Sequence, residues 1–169
     1  DGEKLPMEQL LPLVKSKGYT CAHLALTKAM GGYPSGPSAL TPGYAHYLKH
    51  LFEKHGMDIA VLGNYLNLGH PDEQVIRDAT ERYYAHIRFA ALLGCGMVGT
   101  ETEAPNPEYR FCPECRSEEA LSLLIRRLKP IVRCAEQCGA MPAVEAGGPP
   151  TVVDPQRATG VLGGSGCRD

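Results

Sequence analysis

Five side chains in this 169-residue sequence stand where they could move protons or hold a cation. Glu145 closes the apolar run of PAVEAG. A carboxylate buried there is costly unless it is paired or metal-bound, and hard divalent cations prefer oxygen ligands. Glu145 is therefore a candidate metal ligand and base; the plainer alternative is a strand-end Glu that faces solvent or pairs with Lys or Arg. Glu101 and Glu103 follow the run GCGMVGT and share parity, so they would face one side if that strand continues. They could bind substrate hydroxyls or assist proton transfer, or simply start an acidic loop. His23, within YTCAHLAL, and His70, within NYLNLGHP, could each line a pocket. The competing roles are a packed core histidine for His23 and a helix-opening residue before Pro71 for His70. Asn64 and Asn67 are further candidates for the rim. His46, His50, His55 and His86 fall on helices and are expected at the surface.

Cysteine offers a second chemistry. Cys112-Pro-Glu-Cys115 with Cys134 and Cys138 has the residue types of a zinc site or a loop redox pair. Cys115 and Cys134 are 19 residues apart, about 28 Å if helical, whereas zinc needs all four sulfurs about 2.3 Å from one point. One shared zinc site is disfavoured.

These residues need elements to hold them. Four segments repeat one pattern, a helix ending on glycine followed by a short apolar strand: LVKSKGYTCAHLAL, LFEKHGMDIAVLGN, ALLGCGMVGTETE and AEQCGAMPAVEAG, with Gly18, Gly56, Gly94 and Gly139 at spacings of 38, 38 and 45. A fixed period of this length marks a repeated supersecondary unit, and glycine ends helices because it takes the left-handed conformation freely. Seven residues past the first three glycines stand Ala25, Gly63 and Glu101; six past the fourth stands Glu145. Glu101 and Glu145 are thus expected at equivalent strand ends. Helices are expected over 6–17, from Thr41 to Gly56, from Asp72 to Leu93 and from Ser117 onward, with Thr41 and Pro42 forming a strong start and Pro130 predicting a kink. Strands are expected over 19–26, 57–62, 95–99 and 140–145, and a loop over 27–40. Residues 1–147 are read as one domain and 148–169 as a Gly/Pro-rich tail, with a possible short helix opened by Asp154 and Pro155.

Helix–strand alternation predicts a parallel α/β sheet with right-handed crossovers. No Gly-rich phosphate fingerprint follows the first strand, against a nucleotide-binding doubly wound sheet. Strand-end carboxylates in successive units favour a (β/α)8 barrel. A complete barrel takes roughly 250 residues, so the expectation is a partial TIM barrel of about four βα units, open rather than closed.

With 43% hydrophobic and 21% charged residues and a net charge of −2, the composition is that of a globular chain without the basic excess that nucleic-acid binding requires. No apolar run is long enough to span a membrane, and the first residues lack the pattern of a signal peptide. Seven cysteines, several inside expected helices and strands, favour a reduced, cytoplasmic setting.

At VLGNYLNLGHPD, ALLGCGMVGTETE and AEQCGAMPAVEAG, and again at DPQRA, the chain resembles the sugar phosphate isomerase/epimerase family, with its xylose-isomerase-like TIM barrel. The resemblance covers roughly residues 5–162. It implies a divalent metal (Mn, Mg, Co or Zn) at the C-terminal mouth of the barrel, held by Glu, Asp, His and Glu from successive strands. Only the first has a counterpart, Glu145; the following AGGPPTVV departs from the family pattern. His70 resembles a pocket-facing histidine of related barrels. The implied function is metal-dependent isomerisation or epimerisation of a sugar or sugar phosphate, by proton abstraction next to a carbonyl, with Glu145 as ligand and base and His23, His70, Glu101 and Glu103 around the substrate. The alternatives are a truncated, inactive fragment of such an enzyme, self-associating through unpaired strand edges, and a phosphodiesterase resembling the endonuclease IV branch, which the negative net charge disfavours.

Overall fold

All four repeat glycines close their helices in the left-handed region, with φ of 89° at Gly18, 60° at Gly56, 78° at Gly94 and 66° at Gly139. These values come from a computed structural model that describes residues 5–29, 36–101 and 103–145, with Ala29 and Glu101 described by backbone alone. At Gly94 the closure is explicit: the Cys95 N–H donates back to the Ala90 carbonyl at 2.9 Å.

Among the described residues five α-helices and four strands follow in order: α1 (Met7–Ser16), β1 (Cys21–Leu24), α2 (Leu26–Ala29), α3 (Pro42–Lys54), β2 (Asp58–Gly63), α4 (Glu73–Leu93), β3 (Met97–Glu101), α5 (Glu118–Gln137) and β4 (Met141–Glu145). The starts of the three long helices are read correctly from sequence. Thr41 Oγ1 accepts the Tyr44 N–H at 3.2 Å, Asp72 Oδ1 accepts the Gln74 N–H at 2.7 Å and Ser117 Oγ accepts the Ala120 N–H at 3.0 Å. Each bond satisfies one of the amides a helix start leaves open.

The sheet is wholly parallel with strand order β1-β2-β3-β4. Sequential order without a reversal is that of a barrel wall, not of a doubly wound sheet with a switch point. The sheet's outer face packs on the helices through Leu24, Leu62, Val98 and Thr100, all at most 2% exposed. Tyr83 of α4 reaches this face, its hydroxyl bonded to Thr100 Oγ1, and burial raises its pKa. Met97 (36% exposed) and Met141 (56%) remain open to solvent. The structure is the expected partial barrel, open along both edges of the described sheet.

Several boundaries differ from the sequence reading. Strand β1 is shorter than 19–26 because Leu26 is buried at the start of α2, which continues to Ala29 within the expected loop. Strand β3 begins at Met97 rather than Cys95, since the Cys95 amide is taken up in the helix closure. Helix α5 continues through Pro130 as one element. The expected helix at Asp154 lies outside the described residues. Among the described residues no helix is long and apolar enough to cross a membrane.

Candidate functional site

At the C-terminal edge of the sheet, three side chains from three segments meet. His23 is the penultimate residue of β1, Glu145 is the last of β4, and Tyr65 lies two residues beyond the end of β2. The Tyr65 hydroxyl is 2.5 Å from His23 Nε2 and 3.3 Å from Glu145 Oε1. His23 Nδ1 stands 3.5 Å from the same carboxylate oxygen. A phenol has one proton to give. If it goes to His23 Nε2, the neutral imidazole carries its hydrogen on Nδ1, facing Glu145. The network therefore links phenol, imidazole and carboxylate. Lys28 places its ammonium 4.1 Å above the Tyr65 ring centre, a position that attracts a cation to the ring face.

Glycine makes room for this cluster. A Cβ at Gly63 would come 2.8 Å from His23 Nε2 and 2.9 Å from the Tyr65 ring. A Cβ at Gly99 would come 2.9 Å from Val61 Cγ1 and 3.2 Å from Glu145 Oε1. An irregularity in the β1–β2 register also contributes: Ala22 pairs with Ile59 but His23 with Val61, leaving Ala60 as an extra residue in β2. Such a bulge re-aims the side chains that follow, and here Val61, Gly63, Gly99 and His23 come together on the inner face. His23 and Glu145 keep 37% and 45% of their side-chain surface exposed, so the cluster is open to a ligand.

Glu101 is the Cα partner of Glu145 across β3 and β4, at the equivalent strand end expected from the repeat; its side chain lies outside the described residues. Glu103 departs from the shared-parity expectation because β3 ends at Glu101. It is 2% exposed, behind the β2–α4 loop, where a Cβ at Gly69 would meet Glu103 Cβ at 2.9 Å. Burial pushes its pKa up to about 8, with the Arg127 charge pulling the other way.

His70 opens helix α4: the Asp72 N–H donates to its Nδ1 at 3.0 Å. Accepting at Nδ1 leaves the neutral ring's hydrogen on Nε2, which suits Nε2 to donate to an oxygen rather than to ligate a metal. Arg127 fastens this loop, donating from Nη1 to the carbonyls of Leu68 and His70 and from Nη2 to Glu73 Oε1 at 2.7 Å. Asn67 ties the loop to the next one. Its Oδ1 accepts from Gly69 N (3.0 Å) and Ala104 N (3.1 Å), and its Nδ2 donates to Asn106 O (2.9 Å). Asn64 is 3% exposed. His86, expected at the surface, is buried at 2%. Its Nδ1 lies 2.8 Å from the Arg82 carbonyl, and burial lowers its pKa.

Tyr65 is the residue sequence reading missed. Its signal was position: an aromatic in the loop that leaves the same strand end as Gly63. Among the described residues no three His, Cys, Asp or Glu side chains converge into a set that could hold a metal ion. Glu145 with His23 is the nearest approach to one at this edge. The arrangement can accept a proton at Glu145 and donate one through Tyr65 and His23, which is the equipment for proton transfer on a bound oxygen-rich ligand.

The model for the family described as xylose isomerase-like TIM barrel matches residues 11–164. No curated protein matches the chain. Among solved structures, 3-keto-D-glucoside 4-epimerase YcjR of E. coli is similar with a TM-score of 0.73 at 9% identity, covering 99% of this chain and 63% of its own. D-psicose 3-epimerase of Clostridium cellulolyticum H10 has a TM-score of 0.70 at 13% identity, covering 94% of this chain and 54% of its own. A xylose isomerase-like TIM barrel protein of Mycobacterium smegmatis, in complex with magnesium, has a TM-score of 0.67 at 15% identity, covering 95% and 54%. The chain thus spans between 54% and 63% of the length of these three structures.

Proposed function

The chain belongs to the xylose isomerase-like TIM barrel family, and from that membership we propose that its protein isomerises or epimerises a sugar or sugar phosphate by removing a proton next to a carbonyl. The observation that carries the proposal is the His23–Tyr65–Glu145 cluster at the C-terminal strand ends, where barrel enzymes of this type hold their chemistry.

In this reading Glu145 is the base. Its half-exposed carboxylate takes the proton from the carbon beside the carbonyl; isomerisation follows when that proton is returned to the neighbouring carbon, and epimerisation when a proton reaches the opposite face of the same carbon. Tyr65 and His23 act on the oxygen, where negative charge develops as the proton leaves. The phenol turns its one proton from His23 Nε2 to that oxygen, and the imidazole holds the phenol in position beside Glu145. Electrostatic support of this type is often the largest part of such catalysis. His70, through Nε2, and Glu101 complete the binding of substrate hydroxyls. The buried Glu103 is assigned to the wall behind the loop rather than to substrate contact.

The family reading also brings a divalent metal. The described residues do not form a complete ligand set; Glu145 is proposed as one ligand, and a bound divalent ion would polarise the substrate oxygens beside it.

The test is an assay of the full-length protein on a panel of aldoses, ketoses and their phosphates, with Mn, Mg or Co supplied and then chelated. Turnover that Glu145→Gln lowers by about 10²-fold or more supports the role of the base. A panel without turnover under any metal contradicts the proposal. A second reading, that the 169-residue chain alone is catalytically silent, is favoured by the incomplete ligand set among the described residues.

A further inference from the structure

The loop between β3 and α5 holds a second chemical centre that the sugar reading does not use. Cys112 and Cys115 flank Pro113 and Glu114 in a 3-10 turn over Pro113–Arg116, just before the N-terminus of α5. Their sulfurs are 3.5 Å apart and both thiols are free. A disulfide needs about 2.0 Å, so closure takes a movement of about 1.5 Å within one turn of chain.

Each sulfur already accepts an N–H. Asn106 Nδ2 donates to Cys112 Sγ and the Cys112 amide donates to Cys115 Sγ, both at 3.4 Å. Burial raises the Cys115 thiol pKa above its ordinary value, which suits Cys115 to the second, resolving step rather than to the first attack. The two cysteines differ in access. Cys112 is half-buried, whereas Cys115 is fully buried.

We propose that Cys112 and Cys115 form a thiol–disulfide exchange site that reacts with a low-molecular-weight disulfide and closes into an intrachain disulfide. The Cys112 thiolate attacks one sulfur of the incoming disulfide. That S–S bond breaks, and one small thiolate leaves and takes up a proton. The Cys115 thiolate then attacks the Cys112 sulfur of the mixed disulfide and expels the second small thiolate. Two electrons pass from the cysteine pair to the small disulfide, giving one protein disulfide and two small thiols. The assignment is independent of the sugar chemistry.

The test uses glutathione redox mixtures, without oxygen, on the full chain, followed by acid quenching, alkylation and trypsin. Arg110 and Arg116 bracket a cleavable peptide, residues 111–116, that carries both cysteines. In oxidising mixtures this peptide is expected to lose both alkyl groups together and carry an internal disulfide. Cys115→Ser is expected to trap glutathione on Cys112, and Cys112→Ser to leave Cys115 alkylated. A doubly alkylated native peptide at the most oxidising ratio overturns the proposal, as does a native peptide that stops at the mixed disulfide. Glutathione captured on Cys115 in Cys112→Ser as fast as on Cys112 in Cys115→Ser also overturns it. The native-chain result stands even if a variant fails to fold.

Discussion

The Tyr65 hydroxyl lies 2.5 Å from His23 Nε2, joining a loop beyond β2 to the penultimate residue of β1. Tyr65→Phe keeps the ring under Lys28 and removes only the oxygen that reaches both His23 and Glu145. The expected outcome is a loss of about 10²-fold in kcat with a thermal midpoint close to that of the native chain. Steady-state assays of the full-length protein beside a melting curve check it.

Gly63→Ala should disturb the same pair from below. Its Cβ would come 2.8 Å from His23 Nε2 and 2.9 Å from the Tyr65 ring, so both must move. Overpacking of this kind costs about 1–3 kcal/mol, read as a lower urea midpoint, and activity should fall with it.

Asn67→Ala removes the acceptor for two amides and the donor to Asn106 O at once. Orphaned, partly buried groups cost about 1–3 kcal/mol each in such positions. Urea denaturation is expected to show a loss of at least about 2 kcal/mol, larger than for a surface Asn.

Glu103 gives the chain a pH-dependent stability of unusual sign. Burial holds its folded pKa at about 8 against an ordinary 4.5. Between those values the folded chain keeps a proton that the unfolded chain has released. Stability from this group is therefore fullest below 4.5, declines as pH rises from 4.5 to 8, and is level above that. His86 acts in the opposite sense: its pKa is lowered from 6.5 by burial, so it destabilises as pH falls through and below that value. Glu103→Gln should narrow the gap between urea midpoints measured near pH 5 and about pH 9, and should be the more stable chain at the higher pH.

Much of this was legible in the residues. The glycines at 18, 56, 94 and 139 announced four helix ends, and all four adopt positive φ. Thr41, Asp72 and Ser117 announced helix starts, because a cap is a local bond between neighbours. The pairing of Glu101 with Glu145 followed from the period alone. What was not legible depends on distant chain. The side of the sheet reached by Glu103 depended on β3 ending at Glu101, which no local pattern in the sequence marks. His86 is four residues before Ala90 and three after Tyr83, so it shares their buried stripe on α4; reading histidine as polar concealed this. The Tyr65–His23 contact joins residues 42 apart and needs clearance from Gly63 and a register bulge, neither of which leaves a local pattern.

The central claim, proton abstraction by Glu145, is tested most directly by turnover of the full-length protein in deuterated water, with deuterium at the carbon beside the carbonyl read by NMR. The account predicts that the native protein places solvent deuterium at that carbon and that Glu145→Gln slows incorporation by about 10²-fold or more. Turnover that carries no solvent deuterium into the product, or unchanged incorporation in Glu145→Gln, would contradict it.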